Sequence, residues 1–218
     1  MYNKRAIALL FGEKMGFYSN NILPYLLDWS LSDPNLAIHR REILADVKEE
    51  VLEIGFGTGL NLSCYPEHIK RIVTVDINPR IDKLAQKRIQ SSNITVDCRI
   101  LNGESLPMAD NTFDSVVSTF TLCSIPNVEQ AMAEVYRVIK PGGKFFFVEH
   151  GLSNEPKVRV WQNRLTPIQK AIVGGCHLNR NIKQIVENQF KTVSLKEVYA
   201  DNSPKITAYL YKGIAIKE

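Results

Sequence analysis

The run V-L-E-I-G-F-G-T-G at residues 51–59 is where residue type and spacing carry the most chemistry. A short apolar segment with one acid, Glu53, leads into glycines at 55, 57 and 59. A strand that enters such a turn offers backbone N–H groups to a ligand, with no Cβ to block close approach, and this suits a nucleotide-like molecule. Asp76 follows Gly59 by 17 positions, at the end of a β-branched run. A carboxylate there accepts hydrogen bonds from both hydroxyls of an unphosphorylated ribose. Gly103-Glu104-Ser105 follows the next such run, and Glu104 is placed to accept from an exocyclic amine such as adenine N6. Taken singly, each feature has a plainer explanation, because glycines make turns, Asp76 suits a surface turn and Glu104 suits a helix start. Their order at the ends of successive runs argues for one shared ligand.

Which ligand depends on the glycine spacing. The dinucleotide fingerprint is G-x-G-x-x-G or A, whose third small residue lets the helix pack on the strand. Here the third position is Leu60, so the NAD reading loses one of its requirements. A dehydrogenase therefore stands as a rival that tight NAD binding would revive. The P-loop is excluded, since no Gly-Lys-Ser or Gly-Lys-Thr follows the turn.

These residues need strands to position them, and the chain supplies an alternating pattern. Strand candidates are 50–55, 71–76, 94–101, 113–120 and 144–150; helix candidates are 59–64, 80–90 and 127–139, the last stopped by Lys140-Pro141-Gly142-Gly143. Crossover helices make such strands parallel, and near-continuous apolar runs fit strands buried on both faces. Two more strand-like runs, 189–200 and 205–217, are joined by Asp201-Asn202-Ser203-Pro204 and read as a hairpin. The expected class is α/β, a parallel sheet with an antiparallel pair at its end.

Composition bounds the function. With 218 residues and 44% hydrophobic content, one domain with an ordinary core is expected. A net charge of +4 is scattered, without the dense basic block of a nucleic-acid footprint, so no nucleic-acid partner is expected. The cysteines at 64, 98, 123 and 176 form no C-x-x-C pair, which argues against a metal site or redox dithiol and suggests solitary reduced thiols. The first residues lack a signal-peptide pattern and no apolar run reaches about 18 residues, so a cytoplasmic protein is expected.

Taken together, VLEIGFGTG, VDINP (75–79), NGESLPMADNTFDSVVSTFTLCSI (102–125) and EVYRVIKPGGKFFFVEH (134–150) resemble the class I S-adenosylmethionine-dependent methyltransferases, in the group that includes ubiquinone/menaquinone C-methyltransferases and phospholipid N-methyltransferases. The resemblance covers roughly residues 50–150. It implies a Rossmann-like, doubly wound seven-stranded sheet of order 3-2-1-4-5-7-6, the last strand antiparallel, with helices on both faces. It also implies S-adenosyl-L-methionine as donor and S-adenosyl-L-homocysteine as product. Glu53, Gly55, Phe56 and Gly57 would surround the methionine moiety, Asp76 the ribose, Ile77 the adenine face, Gly103, Glu104 and Ser105 the adenine edge, and Thr119 the donor.

The fold leaves the acceptor to added segments. Residues 1–46 carry Phe17, Tyr18, Ile22, Leu23, Tyr25, Leu26, Leu27 and Trp29, enough for an N-terminal helical cap ahead of a core at 47–218. Ordinary packing on the sheet, a lid and a membrane-surface contact are the three readings of that cap. Residues 151–190 form a helical substrate-side insertion in which Trp161-Gln162 and Gly174-Gly175-Cys176-His177-Leu178-Asn179-Arg180 resemble bacterial methyltransferases similar to mammalian alkyl thiol methyltransferases. Methyl transfer from a sulfonium needs alignment more than a strong base. A thiol or phenol acceptor still gains by losing its proton, and His150 at a strand end is the candidate for catalysis or acceptor orientation, ahead of His177. Cys123 and Cys176 read as small apolar packing groups near the pocket, and His39 and His68 as surface residues. A small-molecule methyltransferase is the leading expectation. A phospholipid N-methyltransferase and a non-catalytic S-adenosylmethionine-binding protein are the alternatives, and the oligomeric state is left open.

Overall fold

The computed structural model describes Tyr18, residues 21–77 and residues 83–218. Seven strands form one sheet: β1 (Val51–Ile54), β2 (Arg71–Asp76), β3 (Thr95–Ile100), β4 (Phe113–Thr119), β5 (Ile139–His150), β6 (Thr192–Tyr199) and β7 (Tyr209–Ile216), in the order β3-β2-β1-β4-β5-β7-β6. The pairs β1·β2, β1·β4, β2·β3 and β4·β5 are parallel, and β7 runs antiparallel to β5 and β6. The sheet is thus the expected one, strand for strand.

Helices cover both faces. They are α1 (Leu23–Leu31), α2 (Pro34–Leu44), α3 (Lys83–Gln90), α4 (Val128–Val138), α5 (Pro156–Ile172), α6 (Ile182–Glu187) and the short α7 (Lys205–Ala208). Alternation along the strands divides the core: Leu52, Ile54, Phe145 and Phe147 pack with Val128, Met132 and Val135 of α4 and Ile182 of α6. Val51, Phe146 and Val148 pack on the other face with Ile43 and Leu44 of α2 and Leu62. Burial on both faces explains the near-continuous apolar strand sequences.

Three expectations change in detail. The helix expected at 59–64 is a single 3-10 turn, Leu60–Ser63, because Gly59 sits at φ +78° and Pro66 follows too soon for an α-helix to propagate. β5 starts at Ile139, so Lys140-Pro141-Gly142-Gly143 is taken into the strand, with a register shift between Phe113 and Ser115 of β4. The last two strands are joined by a turn and α7 and not by a tight hairpin. Of the helix candidate 80–90, residues 83–90 are helical and 80–82 lie outside the described residues, as do residues 1–17 of the N-terminal segment.

Candidate functional site

The carboxyl ends of β1 to β5 open into a cavity of about 920 Å³, and α1, α2 and the loop after α5 complete its wall. In an open α/β sheet this edge is where ligands sit.

The glycine turn forms the polar end. Gly57 has φ +54°, a side chain there would meet nothing within 4 Å, and its N–H donates to Asp76 Oδ2 at 2.8 Å. A left-handed glycine with open space above it is a cradle that a ligand can enter. Gly55 is the opposite case: at φ +78°, an added Cβ would lie 1.9 Å from Thr121 Oγ1. Its place is fixed by close packing of the turn on the loop after β4. Ile77, 73% exposed, and Glu104 also line the cavity. Glu104 accepts from the Asn127 amide at 2.9 Å, which ties the loop after β3 to the start of α4. Gly103 lies on the wall too, whereas Ser105 is exposed and outside it, its amide closing a turn on Asn102 O at 3.0 Å.

Beneath the turn, Glu53 is buried. Its Oε1 accepts from Asn61 Nδ2 at 3.0 Å and its Oε2 from Tyr65 OH at 2.7 Å. Burial raises its pKa to about 7, against the lowering effect of those two hydrogen bonds. Asn61 Nδ2 also reaches Thr119 Oγ1 at 3.0 Å, so Glu53, Asn61 and Thr119 form one network along the cavity floor. Phe56 lines the cavity, yet its side chain is 4% exposed and belongs to the core. Asn61, Tyr65 and Arg40 were not foreseen. Asn61 follows the glycine turn closely enough to have been suspected; Arg40, which donates to Leu31 O at 2.9 Å and stacks on Phe120, carries no sequence signal.

The other end of the cavity is sulfur-rich. His150 at the end of β5 has Nε2 2.9 Å from Cys176 Sγ, and Cys176 Sγ lies 3.7 Å from Cys123 Sγ. Spacing suggested solitary thiols, but the fold brings these two together from positions 53 residues apart. The hydrogen bond with Cys123 and burial push the Cys176 thiol well up, so it keeps its proton. Nδ1 of His150 is buried without a hydrogen-bond partner among the described residues. Burial lowers the His150 pKa, but its contacts with Cys176 and Glu149 outweigh that and raise it above the usual value, so the ring is placed to take a proton.

His177 is not on this wall; its ring and amide both face Cys123 O, at 3.2 and 2.9 Å. Trp161 is exposed, and Gln162 is a buried brace that donates to Gly151 O and Ile206 O. Arg180 donates to Leu122 O, fixing the 174–180 loop against the one that carries Cys123. His68 is exposed, and His39 is half-buried beside Lys212.

α1 and α2 place Leu23, Leu27, Leu31, Leu36 and Arg40 on the cavity wall. Asp28 of α1 accepts from Thr58 Oγ1 at 2.6 Å and from Arg88 at 2.6 and 3.2 Å, so α1 is tied to the glycine turn itself.

Residues 52–147 match the family model described as a methyltransferase domain. Rat thiol S-methyltransferase TMT1B is 36% identical over 172 residues, which is 72% of this chain and 69% of that protein. Human thiol S-methyltransferase TMT1A is 31% identical over 195 residues, covering 84% of this chain and 80% of its own length. The chain belongs to the class I S-adenosylmethionine-dependent methyltransferases. The fold agrees: a Haemonchus contortus phosphoethanolamine N-methyltransferase solved with S-adenosylhomocysteine superposes with a TM-score of 0.66 at 14% identity, over 94% of this chain and 60% of that one. The protein is thus a methyltransferase of small molecules with S-adenosylmethionine as donor, and the glycine turn opens on a cavity with room for that donor. Among the described residues, no helix is long and apolar enough to cross a membrane.

Proposed function

We propose that this methyltransferase transfers a methyl group to the sulfur of a small thiol. The supporting observation is that one cavity joins the glycine turn to the His150, Cys176 and Cys123 cluster, in a chain related to thiol S-methyltransferases. Bound to this turn, S-adenosylmethionine supplies an electrophilic methyl group on a sulfonium. Asp76 accepts from the ribose hydroxyls, since a carboxylate has lone pairs beyond the one that Gly57 uses. Ile77 packs on the adenine and Glu104, with Gly103 beside it, accepts at its amine edge. Gly55, Gly57 and the backbone of Phe56 surround the methionine moiety, and Glu53 and Thr119 act there through Asn61. Ser105 supports the loop only.

His150 is the residue that meets the acceptor. α1 and α2 form a lid that excludes water from the transfer. The exposed side of α1, with Tyr25, Leu26 and Trp29, favours a second contact, with a membrane surface from which an apolar thiol would enter. Unpaired cysteines fit a reducing compartment and support a cytoplasmic location.

The test is label transfer from S-adenosylmethionine to a panel of small thiols, phenols, quinol precursors and phosphatidylethanolamine vesicles. Label should enter thiols. Asp76→Ala should weaken donor binding, and His150→Ala should lower turnover about a hundredfold with donor binding intact. Label confined to lipid, or to phenols and quinols, overturns the thiol assignment.

A further inference from the structure

We propose that Cys123, His150 and Cys176 form a zinc site whose fourth position faces the cavity and takes the sulfur of the acceptor thiol. This rests on the thiol reading above and says how the sulfur is held. Among the described residues these three make the one group of three histidine, cysteine or acidic side chains with ligand atoms mutually close, all within 4.8 Å. Cys123 and Cys176 are 2% and 4% exposed, so the cluster is no surface coincidence.

The geometry suits a tetrahedral ion. With Zn–S near 2.3 Å and Zn–N near 2.0 to 2.1 Å, two sulfurs of one tetrahedron lie about 3.8 Å apart, and a sulfur and a nitrogen about 3.5 Å apart. The two Sγ atoms are 3.7 Å apart already, and the His150 ring, at 2.9 Å from Cys176 Sγ, retreats by about half an ångström to admit the ion. Three ligands from two cysteines and a histidine, with one position left for substrate, are a known catalytic set, whereas closed four-ligand sets are structural. Each ligand sits on a fixed backbone. His150 ends β5, the Cys176 amide donates to Val173 O at 2.9 Å, and His177 N donates to Cys123 O at 2.9 Å. Outer groups are in place as well: Ser124 Oγ lies 3.5 Å from Cys123 Sγ and Gln169 Nε2 3.8 Å from Cys176 Sγ, and such contacts orient and tune thiolate ligands. All three ligands line the cavity that the glycine turn opens into, which a buried structural site would not do.

Zinc displaces the protons of Cys123 and Cys176 to solvent, and an incoming thiol loses its proton to solvent as its sulfur takes the fourth position. The new S–CH₃ bond then forms from a sulfur lone pair while the sulfonium C–S bond breaks, its electron pair passing to S-adenosylhomocysteine. The neutral thioether, a poorer ligand than the thiolate, leaves the ion.

Zinc content should be measured by elemental analysis on the full chain, with affinity taken from competition with a zinc chromophore. One zinc per chain is expected. Binding should weaken at least about a hundredfold in Cys123→Ser/Cys176→Ser, while S-adenosylhomocysteine affinity, which reports the fold, is retained. Should that double variant not fold, cobalt substitution of the wild type decides: a thiolate-to-cobalt charge-transfer band that shifts on adding a small thiol supports the site, and its absence overturns it. Thiol methylation by zinc-free protein, unaffected by chelator, overturns the zinc site and leaves the thiol reading standing. Stoichiometric zinc lost with the two cysteines, but no thiol methylated, sinks the acceptor assignment and keeps the metal.

Discussion

The two ends of the cavity are built differently. The proposed donor end is a set of short loops at the ends of adjacent strands, each with a cavity-lining residue within a few positions of the strand that carries it: Gly55 and Gly57 after β1, Asp76 closing β2, Glu104 after β3. The proposed acceptor end is assembled from three distant segments, with Cys123 beyond β4, His150 closing β5 and Cys176 beyond α5. One end is a property of the sheet, and the other is a property of what has been laid over it. Chemistry common to many proteins can live in the first, and substrate choice in the second.

The largest break in this comparison should come at Gly55. Its φ of +78° and a would-be Cβ 1.9 Å from Thr121 Oγ1 leave alanine no relaxed solution. Gly55→Ala should cost about 3 kcal/mol or more from strain and overlap together, lowering the thermal midpoint and abolishing donor binding. Gly57→Ala, with open space above it, should cost only about 1 kcal/mol of left-handed strain and act mainly on donor affinity. Equal losses of stability in the two variants, read by denaturant unfolding, would show that the turn is not packed as described.

The same contrast explains what the sequence disclosed. Strand ends and glycines have local signatures, so the strands and the glycine turn at residues 51–59 were legible from the sequence, while the sheet order came with the family resemblance. The α-helix expected after Gly59 did not form because too few residues precede Pro66. The pairing of Cys123 with Cys176 was illegible in principle. No spacing rule joins residues 53 apart; the docking of the 174–180 loop, by Arg180 on Leu122 O and by His177 on Cys123 O, brings them together. Asp28 with Arg88 is another such tertiary meeting, 60 positions apart.

A second effect, smaller than that at Gly55, tests whether the donor floor is a rigid, dry layer. Buried Glu53 keeps its proton up to about pH 7 in the folded chain, against an ordinary value of 4.5. Between those values the folded state binds more protons than the unfolded one, so stability falls as pH rises through the window, by about 1.4 kcal/mol per unit and on the order of 3 kcal/mol in all. Glu53→Gln keeps an acceptor for Asn61 and an amide for Tyr65 and should flatten this slope. It should leave part of it, because burial raises Glu149 in the same direction. Thermal midpoints of both proteins from pH 4.5 to 8 check this; parallel curves would mean that water reaches Glu53.

The smallest effect sharpens the boundary between the two ends. Asp28 belongs to α1, on the overlay, yet its carboxylate holds Thr58 of the glycine turn and the Arg88 guanidinium; Arg88 in turn donates to Thr58 O at 2.8 Å. Burial raises the Asp28 pKa, but the bonds from Arg88 and Thr58 outweigh it and hold the carboxyl below its usual range. Asp28→Asn removes the charge but keeps the shape, and a partly exposed pair of this kind contributes about 1 kcal/mol. Stability should therefore move little. Release of S-adenosylhomocysteine should quicken a few-fold in stopped-flow experiments, because a helix no longer pinned to Thr58 uncovers the turn more often. An unchanged release rate would make the donor end self-sufficient and the overlay a matter for the acceptor alone; a faster one shows the two ends coupled through a single carboxylate.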